Sequence, residues 1–238
     1  MRISIFHPTA RVGSYPPSLP RGWHHAHDAM LQSCDHPENI EYILSIHHSR
    51  WSDTIALDAA TSLSHWGKGY AIINPGADTN VSQINFSISH CESPILMGIM
   101  DDLFPPPHWD TILLNLFGSD LNKEQVFQFS TCSPADPILF VHGALTRSYY
   151  QRYGYLLWPE YEGMFADNEF TAQLERDHVL TRRFDIVFEH VHPAFNKAQT
   201  DSVYNKHWDS HYRGKEIFER RRAKGFPASP LPGESVHA

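Results

Sequence analysis

Short apolar runs recur along the chain, each closed by proline, glycine or acidic residues, with polar helix-periodic stretches between them. Residues 3–6 form the first strand and end in the turn-rich His7-Pro8-Thr9-Ala10-Arg11-Val12-Gly13. Residues 41–46 are a short, largely apolar run, which suits a buried parallel strand; 70–74 is a third strand candidate, and 95–100 is the most apolar one. Residues 126–129, 137–141 and 185–190 read as further strands. Residues 23–33 set Trp23, Ala26, His27, Met30 and Leu31 roughly on one helical face. Residues 111–117, 145–153 and 168–177 are also expected to be helical, and 82–89 fits either helix or strand. Strands alternating with helices predict an α/β fold with parallel strands. From about residue 194 no core strand is expected. The chain is therefore divided into a main domain, 1–195, and a polar and basic extension, 196–238, whose end (Pro227, Pro230, Pro232, Gly233) loosens.

Composition narrows the classes. Of 238 residues, 41% are hydrophobic and 13% aromatic, which excludes a disordered chain. No run of 18 apolar residues exists, so no membrane span is expected, and the N-terminus reads as a strand rather than a signal peptide. The 27 acids against 19 bases give a net charge of -8, which argues against a chain-wide basic footprint for nucleic acid. Cys34, Cys91 and Cys132 are odd in number and far apart, so free thiols in a reducing cytoplasm are expected. The 17 histidines raise the question of metal binding. No GxGxxG, P-loop, GxSxG or HExxH motif is present.

Three clusters offer chemistry. The apolar strand 95–100 runs into Asp101-Asp102. In open α/β sheets ligands bind beyond the carboxyl ends of strands, and adjacent carboxylates there suit Mg²⁺ or Mn²⁺ with substrate phosphates. A turn that ends a strand is the plainer alternative. Ala166-Asp167-Asn168-Glu169-Phe170 places acids at a helix start, where the dipole favours them or where one can serve as a base. In Glu189-His190-Val191-His192-Pro193, alternation puts His190 and His192 on one face, as Mn²⁺ ligands or as polar side chains at a strand end. His24-His25-Ala26-His27 and His47-His48 are read as surface or cleft polarity. The run 219–224, with Arg220, Arg221, Arg222 and Lys224, is a solvated helix face or a phosphate contact.

The order of these pieces resembles a glycosyltransferase of the GT-A fold, similar to family 2 enzymes and to small phage-type members. The resemblance spans residues 2–195 and implies a Rossmann-like open mixed sheet with flanking helices. It implies that Asp102 holds a divalent cation on a nucleotide-sugar diphosphate, with Mn²⁺ or Mg²⁺ as cofactor, and that Asp101 faces the ribose or shares the metal. Met100 stands where the family's motif has its first acid. The turn Pro8-Thr9-Ala10-Arg11 is implied to cradle the nucleotide, with Asn85, Trp109 and Gly143 completing the donor site. His47-His48 replaces the family's acid at the base. Asp167 is implied as the catalytic base, with Glu169 second, and His192 or His190 as the late metal ligand. Trp109, Trp158 and Tyr161 offer stacking faces or core packing.

The expected activity is transfer of a sugar from a nucleotide donor, a UDP-sugar, to an acceptor hydroxyl. A hydroxymethylated DNA base is one acceptor consistent with the phage-type resemblance, and the cytoplasm would then be a host's. A nucleotidyltransferase on the same fold, a nucleotide-binding module without turnover, and a histidine-based zinc hydrolase are the competing readings.

Overall fold

The structure is a computed structural model and describes residues 2–12, 22–195, 197–200 and 202–228. The expected loose end at Pro230, Pro232 and Gly233 lies outside these residues, as does Gly13.

Strand β1 (Ile3–Thr9) is buried nearly throughout. It pairs in parallel with β2 (Ile40–His47), and β2 pairs in parallel with β3 (Lys68–Asn74). On its other side β1 pairs in parallel with β4 (Ile95–Gly98), with Ile3 opposite Ile95. The antiparallel strand β7 (Gly143–Thr146) then joins β4 to β6 (Val126–Ser130), and β8 (Leu180–Val187) closes the edge. The sheet is mixed and seven-stranded, in the order β3-β2-β1-β4-β7-β6-β8. A separate antiparallel pair joins β5 (Leu103–Phe104) to β9 (Glu189–His190).

Alternation along the strands sends side chains to opposite faces, and each face is covered by helices. Ile3, Ile5, Tyr42, Leu44 and Met97 pack with α1 (Trp23–Gln32), α2 (Asp53–Leu63) and α4 (Trp109–Phe117). Phe6, Ile43, Leu96 and Leu145 pack with α3 (Asn80–Ser89), α5 (Arg147–Tyr153) and α6 (Ala166–Arg176). On α3, Val81, Ile84 and Ile88 are buried at helical spacing. The Thr79 hydroxyl accepts the Ser82 amide, which starts the helix and resolves the ambiguity of residues 82–89. Gly98 is required by packing: a Cβ there would lie 2.5 Å from the Phe6 ring.

Four expectations are corrected. Residues 137–141 are a loop, not a strand. The Gln128 carboxamide donates to the Leu139 carbonyl and the Phe140 amide donates to the Thr171 hydroxyl, so these backbone groups are held by side chains rather than by a ladder. The strand comes later, as β7, and the following helix begins at Arg147 instead of residue 145. The expected strand 185–190 is split between two sheets, as the end of β8 and as β9. Helix α2 was not anticipated, although Ser52 caps it by accepting the Ile55 amide. Beyond residue 195 the chain forms α7 (Ser202–Asp209) and α8 (His211–Ala223), with Tyr204 and Ile217 buried. Among the described residues, no helix is long and apolar enough to cross a membrane.

Candidate active site

A cavity of about 770 Å³ opens where the carboxyl ends of β1 and β4 meet the first turns of α3 and α6. Pro8, Thr9, Arg11, Asp101, Asp102, Gly143, Asp167, His190 and His192 all line it.

The acid pair follows β4 and is buried. Asp101 is held by β1: its Oδ1 lies 3.0 Å from His7 Nε2, and the other ring nitrogen of His7 lies 2.7 Å from the buried Tyr42 hydroxyl. Its second oxygen lies 3.6 Å from the Arg11 guanidinium. The Thr9 hydroxyl accepts the Arg11 amide and so fixes the turn after β1. Both oxygens of Asp101 are thus engaged within the protein.

Asp102 turns the other way. Register in the small sheet sets Leu103 opposite His190, which brings His190 Nε2 to 3.2 Å from Asp102 Oδ1. The Tyr204 hydroxyl, from α7, donates to Asp102 Oδ2. Burial pushes the Asp102 pKa up, but the bonds from His190 and Tyr204 and the charge of Arg11 outweigh it and bring the carboxyl down to about 2. It is therefore a fixed negative charge. The Tyr204 ring also lies under the Arg11 guanidinium, at 4.6 Å, and edge-on to His192.

The donor set fits a divalent cation. His190 Nε2 and Asp102 Oδ1 lie 3.2 Å apart, and two ligands in adjacent positions of an octahedral shell stand about 3 Å apart, so a cation held by both would take the place of the hydrogen bond between them. His190 Nδ1 is buried and has no hydrogen-bond partner. One carboxylate with one imidazole suits Mn²⁺, and Mg²⁺-type sites are completed by substrate phosphates. Among the described residues, no group of three or more His, Cys, Asp or Glu side chains is already arranged around one cation position.

Asp167 lies in the first turn of α6, with its Oδ1 accepting the Asn168 amide at 3.0 Å. Burial raises its pKa against the pull of nearby backbone amides. It faces the cavity as a carboxylate with raised proton affinity.

Five residues expected at the site face elsewhere. Glu169 is buried on the opposite side of α6 and makes a two-pronged ion pair with Arg221, at 2.7–3.0 Å, while the Tyr161 hydroxyl donates to it at 2.9 Å. It is structural, not a second base. Tyr161 is spent on that bond, and Trp158 lies under the Arg221 guanidinium at 3.4 Å. Trp109 is fully buried on the far face of the sheet, its indole donating to the Met30 carbonyl at 2.8 Å. Asn85 is consumed by the backbone of residues 156–157, accepting both amides and donating to the Leu157 carbonyl. Within the basic run Arg221 is buried on Glu169, while Arg220, paired with Glu160, and Arg222 and Lys224 are exposed, as on a solvated helix face. His24 pairs with Asp58, and His27 is buried against Trp66, whose indole donates to it.

Sequence reasoning missed His7, Tyr204, Gln83 and His142. His7 was visible only as part of a turn, and Tyr204 belongs to a tail with no core pattern. Gln83, on a helix whose apolar residues dominated the pattern, and His142, just before β7, both line the cavity.

No family model matches the chain, and no curated protein matches its sequence. Solved structures match its fold. Staphylococcus aureus TarS 1–349 in complex with UDP superposes at TM-score 0.60 with 11% identity, over 79% of this chain and 59% of that one. The mannosyltransferase PcManGT from Pyrobaculum calidifontis, in complex with GDP-Man and Mn²⁺, gives 0.58 at 13% identity, over 97% and 76%. Glucosyl-3-phosphoglycerate synthase from Mycobacterium tuberculosis, with Mn²⁺, UDP and glucosyl-3-phosphoglycerate, gives 0.53 at 12%, over 86% and 74%. The chain spans about six-tenths of the TarS 1–349 chain. The fold is that of the GT-A glycosyltransferases.

Proposed function

We propose that this GT-A chain is a divalent-cation-dependent glycosyltransferase that moves a sugar from a nucleotide diphosphate, a UDP-sugar, to an acceptor hydroxyl. The observation that carries the reading is one cavity holding an ionised Asp102 beside His190 and, from another element, a carboxylate of raised proton affinity at Asp167. Similar folds have been solved with UDP, or with GDP-Man and Mn²⁺.

Asp102 and His190 would hold Mn²⁺ or Mg²⁺, which when bound supplies positive charge for the diphosphate as it leaves. His192 lies close enough to His190, with ring centroids 4.8 Å apart, to serve the same end of the cavity. Asp101, fixed by His7 and Arg11, orients the turn that receives the nucleotide. Pro8, Thr9 and Arg11 line this end, and the Arg11 guanidinium adds a positive charge. Gly143 lines the cavity and is fixed by the sheet, since a Cβ there would strike the Phe127 carbonyl of the neighbouring strand. Asp167 takes the proton of the acceptor hydroxyl as its oxygen bonds to the sugar carbon, and the electron pair of the broken bond passes to the diphosphate oxygen. In this division of labour residues 1–195 carry the machinery and the extension supplies Tyr204. Arg221 is committed to Glu169 and so is not available as a phosphate contact for a DNA acceptor.

Thermal denaturation with UDP and GDP, each with Mn²⁺ or EDTA, tests the reading. A nucleotide at 100 times its Kd adds about 2.7 kcal/mol. For a chain of this size that raises Tm by roughly 5–10 °C. The expected result is a shift that needs Mn²⁺ and is lost in Asp102→Ala. No shift with either nucleotide, metal present or not, overturns it in favour of a fold retained for other chemistry.

A further inference from the structure

Gln83 stands in the first turns of α3, lines the cavity and is only 7% exposed. Both ends of its carboxamide, Oε1 and Nε2, are buried with no hydrogen-bond partner. Leaving such a group unpaired is costly, and buried amides are nearly always satisfied. Other buried side chains carry one unpartnered atom; Gln83 carries two on one group, in the wall of a ligand-sized cavity. The backbone around it is fully engaged: its amide donates to the Thr79 carbonyl and its carbonyl accepts the Ser87 hydroxyl. Only the side chain is left open.

The chemistry of the missing partner follows from the group. A carboxamide presents a donor and an acceptor side by side. A phosphate offers acceptors only and would leave Oε1 unpaired. Neighbouring hydroxyls of a sugar ring, or a hydroxyl beside an amide substituent, offer both. Position agrees. Gln83, Ile84, Asp167 and Phe170 line one cavity, with Gln83 in the first turns of α3 and Asp167 in the first turn of α6. Gln83 therefore shares its cavity with the carboxylate proposed to deprotonate the acceptor. In a nucleotide sugar the transferred sugar lies between the diphosphate and the acceptor, and the base hangs from the far side of the diphosphate.

We infer that Gln83 reads hydroxyl or amide substituents of the transferred sugar and selects the donor by them; this rests on the glycosyltransferase reading. Gln83→Met keeps the shape and removes both polar atoms. Three measurements on the full chain test it. First, without ligand, Gln83→Met melts at or above the wild-type Tm, because an unsatisfied amide is gone; a fall of several degrees would mean that Gln83 supports the fold, and would overturn the inference. Second, with Mn²⁺, the variant binds UDP and GDP within about two-fold of wild type. It loses about ten-fold or more for at least one of UDP-glucose, UDP-GlcNAc and GDP-mannose. Equal loss for diphosphate and sugar nucleotide, or loss for neither, overturns it. Third, where a sugar nucleotide binds no tighter than its diphosphate, the Gln83 carboxamide proton signals decide, assigned by their absence in the variant. Movement with the sugar nucleotide but not the diphosphate supports the inference, and no movement sinks it. A wild-type chain that binds none of the five nucleotides removes the glycosyltransferase reading itself, a different result from wild-type binding that ignores Gln83.

Discussion

Asp167 and Glu169 sit two positions apart on one helix and have opposite fates. Two helical residues are separated by about 200° around the axis, so one faces the cavity when the other faces the packing. The sequence showed both acids near a helix start but not that Arg221, read there only as part of a basic run, claims Glu169 from 52 residues on. The strand-end pair Asp101-Asp102 was easier to read, since an apolar strand that stops at acids places them at the sheet's ligand edge. What the sequence could not apportion was their roles: His7 and Arg11 bind Asp101, while β9 delivers His190 to Asp102. For Asp167 the expected outcome is clear. Asp167→Asn should lower kcat/KM by about 10²–10⁴-fold and leave Mn²⁺-dependent nucleotide binding intact. In the wild type, kcat/KM should rise with pH along an acid limb above the ordinary carboxylate range near 4, because burial makes Asp167 hold its proton longer. A steady-state pH profile measures both.

At the scale of elements, β2 and β4 were legible because they read as short, largely apolar runs. Residues 137–141 have the same apolar look, but side chains take their backbone groups: the Leu139 carbonyl accepts from the Gln128 carboxamide and the Phe140 amide donates to the Thr171 hydroxyl. The partition of 185–190 between two sheets depends on where Thr131 and Leu103 lie in space: the Thr131 carbonyl accepts the His190 amide, and Leu103 pairs with that residue. Helix α8 was seen as a basic run, yet its Arg221 is only 2% exposed and crosses to α6. Arg221→Met should strand the Glu169 charge and destabilise the chain by about 3–5 kcal/mol in urea unfolding. Replacing both partners with apolar residues, Glu169→Leu with Arg221→Met, should recover much of that loss. Equal losses in the single and double variants would show that packing, rather than charge, joins the helices.

For the whole molecule, the α/β class and the flanking helices follow from local pattern, but strand order does not. The antiparallel β7 between β4 and β6 is set by long-range pairing that no window of sequence contains. The same tertiary enclosure gives the fold a pH dependence. Burial, and the nearby His190, push the His142 pKa down to about 3, from about 6.5 for a free imidazole. The unfolded chain takes up this proton first, so the contribution to stability is whole above about 6.5 and declines as pH falls toward about 3. The slope is roughly 1 kcal/mol per pH unit for this group. His142→Phe, measured by unfolding at pH 5 and pH 7.5, should flatten the dependence by that share. An unchanged slope would assign it to other histidines.

The Tyr204 hydroxyl on Asp102 gives the resting cavity a tenant of its own. In the glycosyltransferase reading, a cation arrives by exchange rather than by filling a waiting hole. Its apparent affinity is the intrinsic affinity discounted by the tyrosine's hold. A donor that brings phosphate oxygens along with the cation can overcome that discount where the bare ion does not, so metal and nucleotide are expected to bind as a pair, each weak without the other.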